Sequence, residues 1–212
     1  METEGISECF DKCACARSDR AVPGSIRRVS RVLVDLLERR SLTGRSVLEL
    51  GCGLGALSIS AVSRGAARAN GIDLSPVAIR EASRLAKEAG LADKVSFTVG
   101  DGAHVELPRS DVVILDKVIC CYPRVDALIE NSVRAAGSTY AFVLPFSSGL
   151  RGVVSRVAIT LENAIRRVKR QSFRAYVHDV GKVEARVREA GLQRVESARR
   201  LIWYVAVYER GS

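Results

Sequence analysis

Three glycines at alternate positions follow a short apolar run that carries a carboxylate: Val47-Leu48-Glu49-Leu50-Gly51-Cys52-Gly53-Leu54-Gly55. Glycine lets the backbone turn sharply and lets a ligand approach where a Cβ would clash. The spacing E-x-G-x-G-x-G differs from the dinucleotide fingerprint G-x-G-x-x-G, whose third glycine stands one residue later. Glu49 beside the loop repels a pyrophosphate and suits the ammonium of a sulfonium amino acid. The pattern therefore favours S-adenosylmethionine (SAM) over NAD, with Gly51, Cys52, Gly53 and Gly55 as loop contacts. Cys52 fits there because the loop needs a small residue.

Three more acidic residues fall at matching places. Asp73 ends Gly71-Ile72-Asp73, lies 22 positions beyond Gly51 and is followed by Leu74; an acidic residue about 20 positions on is placed for ribose hydroxyls. Ser75-Pro76 then opens a helix, serine capping it and proline in its first turn. Lys94 to Gly102 reads as an alternating strand ending in Asp101-Gly102, where Asp101 can accept a hydrogen bond from an adenine amino group. Asp111 to Asp116 reads as a buried strand with Asp116 at its carboxyl end. Ligands of open α/β sheets bind outside those ends, so Glu49, Asp73, Asp101 and Asp116 are expected around one crevice.

From about Ser41 to Pro145 these motifs resemble the class I SAM-dependent methyltransferases. The resemblance implies an α/β, Rossmann-like fold with a seven-stranded, mostly parallel sheet. It also implies a terminal antiparallel hairpin, here Leu192 to Ser197 and Leu201 to Glu209, with a helical insertion before it. Glu49 and the loop then hold the methionine part of SAM, Asp73 the ribose and Asp101 the adenine edge. Many amino-methylating members carry an Asn/Asp-Pro-Pro-Tyr-like run after the fourth strand. This chain instead has Asp116-Lys117-Val118-Ile119-Cys120-Cys121-Tyr122-Pro123. The Val-Ile-Cys-Cys-Tyr-Pro part resembles the magnesium-protoporphyrin O-methyltransferase branch, although no tyrosine precedes Tyr122 and the acceptor stays open.

Methyl transfer from a sulfonium is an in-line displacement, for which the protein supplies alignment and, for a hydroxyl acceptor, a base. A carboxylate acceptor is already ionised and needs only positioning. His178 and Tyr122 are the catalytic candidates. Lys117, Tyr122, Arg151, Arg170 and Arg174 are candidates for the acceptor, the arginines because guanidinium pairs with carboxylate in two parallel bonds. The expected function is SAM-dependent O-methylation of a small anionic molecule. RNA methylation is a rival, favoured by late basic charge. A SAM-binding regulator without catalysis is a second rival. Thiol or metalloid methylation through Cys120 and Cys121 ranks lowest.

The positioning elements follow from periodicity. Apolar residues at helical spacing mark Ile26–Arg40, Leu54–Arg64, Val77–Ala89, Val125–Ala135 and Val180–Ala190, alternating with strands at 47, 69, 95, 111 and 140. Such alternation argues a parallel sheet covered on both faces. Residues 1–22 read as a loose arm, 23–212 as one SAM-binding domain, and 151–178 as a helical lid whose Gly152–Arg170 helix is amphipathic and basic; a membrane-surface helix ranks second there, because the apolar side is valine- and alanine-rich with no Trp or Phe. The 212 residues suit one such domain. Net charge is +9, and from Arg151 to Arg200 there are 13 Lys/Arg against 5 Asp/Glu, so the surplus sits late and favours an anionic partner. No run of 18 apolar residues occurs and the start of the chain lacks a signal-peptide pattern, so a cytoplasmic location is expected. Cys9-x3-Cys13-x-Cys15 supplies three thiols and no histidine, so no metal site is assigned.

Overall fold

The computed structural model describes residues 4–18, 21–26 and 28–211. Helices α1 (Glu4–Ser18) and α2 (Arg28–Glu38) precede β1 (Ser46–Leu50), α3 (Ala56–Ser63), β2 (Arg68–Asp73), α4 (Pro76–Glu88), β3 (Val95–Val99) and β4 (Ser110–Asp116). A short 3₁₀ turn at Ile119–Cys121 leads to α5 (Asp126–Ala135), β5 (Ala136–Pro145), α6 (Gly149–Val168), α7 (Val180–Glu189), β6 (Leu192–Arg200) and β7 (Trp203–Arg210). The strands form one sheet in the order β3-β2-β1-β4-β5-β7-β6. The first five strands run parallel, and β7 pairs antiparallel with both β5 and β6. This is the seven-stranded, mostly parallel sheet with a terminal hairpin expected for the class I methyltransferase fold.

Alternation along the central strands divides the core into two layers, because successive Cβ atoms point to opposite faces. Leu48, Leu50, Val113, Leu115, Tyr140, Phe142, Tyr204 and Tyr208 pack on the α5 and α7 side. Val47, Val112, Ile114, Ala141, Val143, Val205 and Val207 pack under α2, α3 and α4. Every residue of β1 is buried, as a central strand covered on both faces requires.

Several expectations need correction. The N-terminal arm is not loose within the described residues: Glu4–Ser18 is α1, which packs beside α4. Asp11 binds the hydroxyl of Ser75 and accepts the Val77 N–H at 3.2 Å, and the Ser7 hydroxyl donates to the Leu74 carbonyl at 3.0 Å. Residues 1–3 and 19–20 of that arm, and the side chain of Cys13, lie outside the description. Helix α5 passes directly into β5, whose second residue is Gly137. There a Cβ would stand 3.1 Å from the Ser110 carbonyl, so close strand approach explains the glycine. The first strand of the hairpin runs on to Arg200, past the expected Ser197, and the chain turns at Leu201–Ile202 with Leu201 at φ 50°.

One buried carboxylate fastens the hairpin to α7. Glu184 accepts the hydroxyls of Tyr204 and Tyr208, both at 2.6 Å, and an Arg194 N–H at 3.0 Å. Burial raises its pKa, but these bonds outweigh it and hold the carboxyl below its usual range. Glu184→Ala would leave two buried hydroxyls without their acceptor, at a cost of about 2–4 kcal/mol. The expected fall in Tm is roughly 5–10 °C for a domain of this size; a melt within a degree of the parent would show that the hairpin is held by apolar packing alone.

Candidate cofactor and acceptor site

The strand order reverses between β1 and β4, and crevices for ligands form at such switch points. Here the crevice is a cavity of about 260 Å³, lined by Leu50, Gly51 and Gly53 from the first loop, Ile72, Asp73 and Leu74 from the end of β2, and Gly100 and Gly102 beyond β3. Asp116, Lys117, Val118, Cys121 and Tyr122 line it from β4 onward, with Leu128 from α5 and Phe10 from α1.

The glycine loop adopts the backbone its sequence anticipates. Gly51, Gly53 and Gly55 have φ of 64°, 52° and 74°, in the region costly for residues with a Cβ. Their neighbours differ. A Cβ on Gly51 would stand 2.3 Å from Val118, and one on Gly55 the same distance from Phe97, so both are needed for packing. Gly53 has nothing within 4 Å and lines the cavity. Cys52 is buried and faces Gly71, where an added Cβ would lie 2.8 Å from its sulfur.

The four expected carboxylates do not share one wall. Asp73 lines the cavity; its Oδ2 accepts the Gly53 N–H at 2.8 Å and its Oδ1 the Ser75 N–H at 2.9 Å. Burial raises its pKa, against the lowering effect of those N–H groups. Asp116 also lines it: Oδ2 accepts the Ser30 hydroxyl at 2.5 Å and the Lys117 ammonium at 3.0 Å, whereas the buried Oδ1 has no protein partner. Asp101 stands just off the cavity. Its Oδ1 accepts the Tyr122 hydroxyl at 2.7 Å and the Ala103 N–H at 3.0 Å, and its Oδ2 meets His104 Nδ1 at 2.9 Å. Burial works against its ionised form, but these three partners prevail and lower its pKa. Glu49 faces away, into a smaller cleft shared with Ser30, Ala56 and Asp116. Its Oε2 accepts the N–H and the hydroxyl of Ser58, at 2.9 and 2.6 Å, tying β1 to α3.

The catalytic and acceptor candidates separate as well. Tyr122 lines the cavity, and burial together with its bond to Asp101 raises its pKa far above the usual phenol value, so it remains a neutral donor. His178 lines a neighbouring cavity with Arg124, Asp126 and Lys182 rather than this one. Its Nε2 lies 2.8 Å from the Tyr122 carbonyl, and burial lowers its pKa, so it stands as a neutral ring supporting the Tyr122 backbone. Lys117 is on the cavity wall at φ 62°. Its ammonium also donates to Ser30 Oγ at 2.7 Å. Arg151 bonds the Leu201 carbonyl at 3.1 Å, Arg174 bonds the carbonyls of Gln171 and Phe173, and Arg170 is exposed just past α6. None of the three lines the cavity.

Sequence reasoning missed Phe10, with Phe173 beside it, and Ser30, and it named Cys121 only for thiol chemistry. Phe10 on α1 lines the cavity, and Phe173 packs behind it with ring centroids 5.1 Å apart, joining the N-terminal helix to the 169–178 stretch. Ser30 on α2 bridges Asp116 and Lys117. Cys121 lines the cavity, its thiol donating to the Lys117 carbonyl at 3.3 Å. Only Cys121 had a signal, as part of the Cys-Cys-Tyr-Pro run; a serine and a phenylalanine on amphipathic helices have none.

The profile of a methyltransferase-domain family matches residues 47–137, the segment that builds the glycine loop and β1 to β4. The chain has the class I SAM-dependent methyltransferase fold, and residues 47–137 of it resemble that methyltransferase-domain family. Among curated relatives, ribosomal protein L11 methyltransferase of Escherichia coli (strain 55989 / EAEC) is 32% identical over 127 residues, which is 60% of this chain and 39% of that protein. The chain thus matches well under half the length of such relatives. Among solved structures, magnesium protoporphyrin IX methyltransferase from Synechocystis PCC 6803 with bound SAH has a TM-score of 0.75 at 19% identity, with 100% of both chains covered. The [4+2]-cyclase SpnF superposes with a TM-score of 0.71 at 13% identity, over 97% of this chain and 95% of its own. Likeness at such identities speaks for the fold alone. The whole-chain superpositions carry the likeness of fold beyond residue 137, through the hairpin.

Glu49 offers a test of this electrostatic arrangement. Burial, opposed by the Ser58 bonds and reinforced by the charges of Asp116 and Asp73, raises its pKa from 4.5 to about 8. The folded protein therefore holds this proton more tightly than the unfolded chain. The stability it brings is complete below 4.5 and is lost as pH climbs toward about 8. Glu49→Gln keeps an oxygen for Ser58 and cannot ionise. In melts of the cofactor-free protein, the parent should lose stability relative to this variant between about pH 5 and 8, with a limiting slope of ~1.4 kcal/mol per pH unit. Parallel pH profiles would mean that Glu49 ionises as readily folded as unfolded.

Proposed function

We propose that this chain is a SAM-dependent methyltransferase that acts on a small molecule and transfers the methyl group to a carboxylate oxygen. The observation that carries the cofactor is the cavity itself: an open glycine at Gly53, a buried carboxylate at Asp73 and an orphaned buried oxygen on Asp116. Buried polar atoms are almost always paired, so an unpaired carboxylate oxygen on a cavity wall calls for a cationic or hydroxyl-bearing ligand. Asp116 and the Gly51–Gly53 backbone would hold the amino-acid part, Asp73 with its remaining lone pairs the ribose, and Gly100, Gly102 and Leu74 the flat base. When bound, SAM supplies an electrophilic methyl group on a sulfonium, and departs as a neutral thioether.

Three observations support a small acceptor that needs no deprotonation. Phe10 lines the cavity and Phe173 packs against it from outside, a confined setting for a nucleic acid or a folded protein. Among the described residues the titratable side chains lining the cavity are Asp73, Asp116, Lys117, Cys121 and Tyr122, with no histidine among them to serve as a base. Tyr122 donates to Asp101, and His178 turns its Nε2 to a backbone carbonyl. Lys117 is the cation on the wall, and it can meet an acceptor carboxylate while Asp116 and Ser30 hold its ammonium. The solved magnesium protoporphyrin IX methyltransferase gives the small-molecule reading a precedent across the whole chain.

Two measurements test the proposal. Losing charge-assisted bonds costs ~1.5–3 kcal/mol, so Asp73→Ala should weaken SAM binding roughly tenfold to a hundredfold by calorimetry. Affinity within twofold of the parent would remove Asp73 from the cofactor. A positioned base contributes about 10²–10⁴-fold. His178→Ala should lose much less than that, and kcat/KM for a carboxylate acceptor should stay flat across neutral pH. A hundredfold loss, or a rate climbing with pH, would return the reaction to a hydroxyl acceptor with a histidine base.

A further inference from the structure

Helix α6 is built the wrong way round for a helix that serves only this domain. Of its 20 residues only Gly152, Ser155 and Ile159 are buried. At 3.6 residues per turn these fall on one side. On the opposite side stand Leu150, Val154, Val157, Leu161, Ile165 and Val168, between 49% and 85% exposed. With Val153, seven of the ten large hydrophobic residues exposed among the described residues lie on this one helix. An eighth, Leu201, is 82% exposed, and its carbonyl is held by Arg151. The apolar stripe runs the length of the helix and points straight into solvent. It does not face the cavity, so α6 itself cannot serve as the hydrophobic underside of a lid.

The borders of the stripe are basic. The helical wheel puts Arg151 and Lys169 along one edge and Arg156 and Arg167 along the other, all exposed, with Arg170 just beyond. The only acid on α6, Glu162, is ion-paired with Arg166 one turn on. We infer that α6 is a membrane-surface helix, which lays its Leu150–Val168 stripe into the interface of a bilayer carrying anionic lipids while the bordering arginines meet the headgroup phosphates. Long basic side chains can reach the headgroups while the stripe lies among the upper acyl chains. No helix among the described residues is long and apolar enough to cross a membrane, so the contact lies in the plane of the surface. Charge decides against a second copy of the chain. Pairing two α6 stripes would set one basic border against another, with the only acid already engaged. Anionic headgroups complement those borders. A nucleic acid would match the charge and leave the apolar stripe in water. Docking also has a consequence for the site. The 169–178 stretch that continues α6 returns to the domain, where the Tyr176 N–H donates to the Cys120 carbonyl at 2.8 Å and Phe173 packs on Phe10. A docked α6 therefore holds the border of the cofactor cavity next to the bilayer.

The test is co-sedimentation of the full chain with vesicles of phosphatidylcholine alone and of phosphatidylcholine mixed with phosphatidylglycerol, at low and high salt. The chain should bind the mixed vesicles about tenfold or more tightly than the neutral ones, less so at high salt. The double variant Val157→Asp with Leu161→Asp should lose binding to both, and Arg156→Glu with Arg167→Glu should lose the preference for the anionic mixture. All four positions are exposed, and a Tm within a few degrees of the parent confirms that each variant is folded. Absence of binding to the mixed vesicles, or binding that neither variant weakens, would overturn the inference. So would a dimer, seen by light scattering, that the aspartate variant splits, since it would assign the stripe to a second copy. Cofactor affinity should be unchanged in both variants, so failure here stays distinct from failure of the methyltransferase reading.

Discussion

The bond between the Asp73 carboxylate and the N–H of Gly53, 2.8 Å long, is the constraint on which the site depends. It joins the end of β2 to a glycine loop that leaves the end of β1. The second oxygen of the same carboxylate holds the Ser75 N–H at the start of α4, whose Ser75 cap Asp11 of α1 also reaches. One buried charge thus sets the positions of two strands, one loop and two helices. Its desolvation cost is offset by N–H groups that have no better partner in their left-handed or capping conformations. The loop can be open at Gly53 because Gly51 and Gly55 on either side are locked against Val118 and Phe97.

Crowding of like charge shapes the rest. Four carboxylates close to one crevice would raise one another's pKa, and each one here is relieved differently. Asp101 takes a tyrosine, a backbone N–H and a histidine; Asp116 takes Lys117 and Ser30; Glu49 withdraws behind the sheet end to Ser58 and holds its proton up to about pH 8. Among the described residues the Asp116 Oδ1 lacks a partner on the cavity wall, which is where a ligand's cation or hydroxyl would fit. The same economy removes the obvious bases from the acceptor side, where Tyr122 is committed as a donor and His178 as a support.

The sheet, the glycine loop and the acidic residue at each strand end were legible in the sequence, because strand alternation and positive-φ glycines are local properties written in local patterns. The roles assigned to those carboxylates were less so. Glu49 lies opposite Gly71 in the parallel register, so it shares a sheet face with Asp73 but stands two residues farther from the strand end, within reach of Ser58. The arginines of the insertion were grouped with the site on charge alone, and in the structure Arg151, Arg170 and Arg174 lie away from the cavity.

Residue order by itself determined that this chain makes a parallel α/β sheet with a loop able to cradle a sulfonium cofactor, since only backbone chemistry and periodicity are needed for that. Tertiary structure decided what covers the loop and which way each amphipathic face turns. The segment of helix α1 reads as a loose arm until Asp11 finds Ser75 and Phe10 finds Phe173. Helix α6 reads as a lid until its Gly152–Ser155–Ile159 side, not its valine-rich side, is found against the domain. An amphipathic pattern specifies two faces and their spacing; which one meets the protein depends on contacts far away in the chain, and those exist only once the sheet has closed.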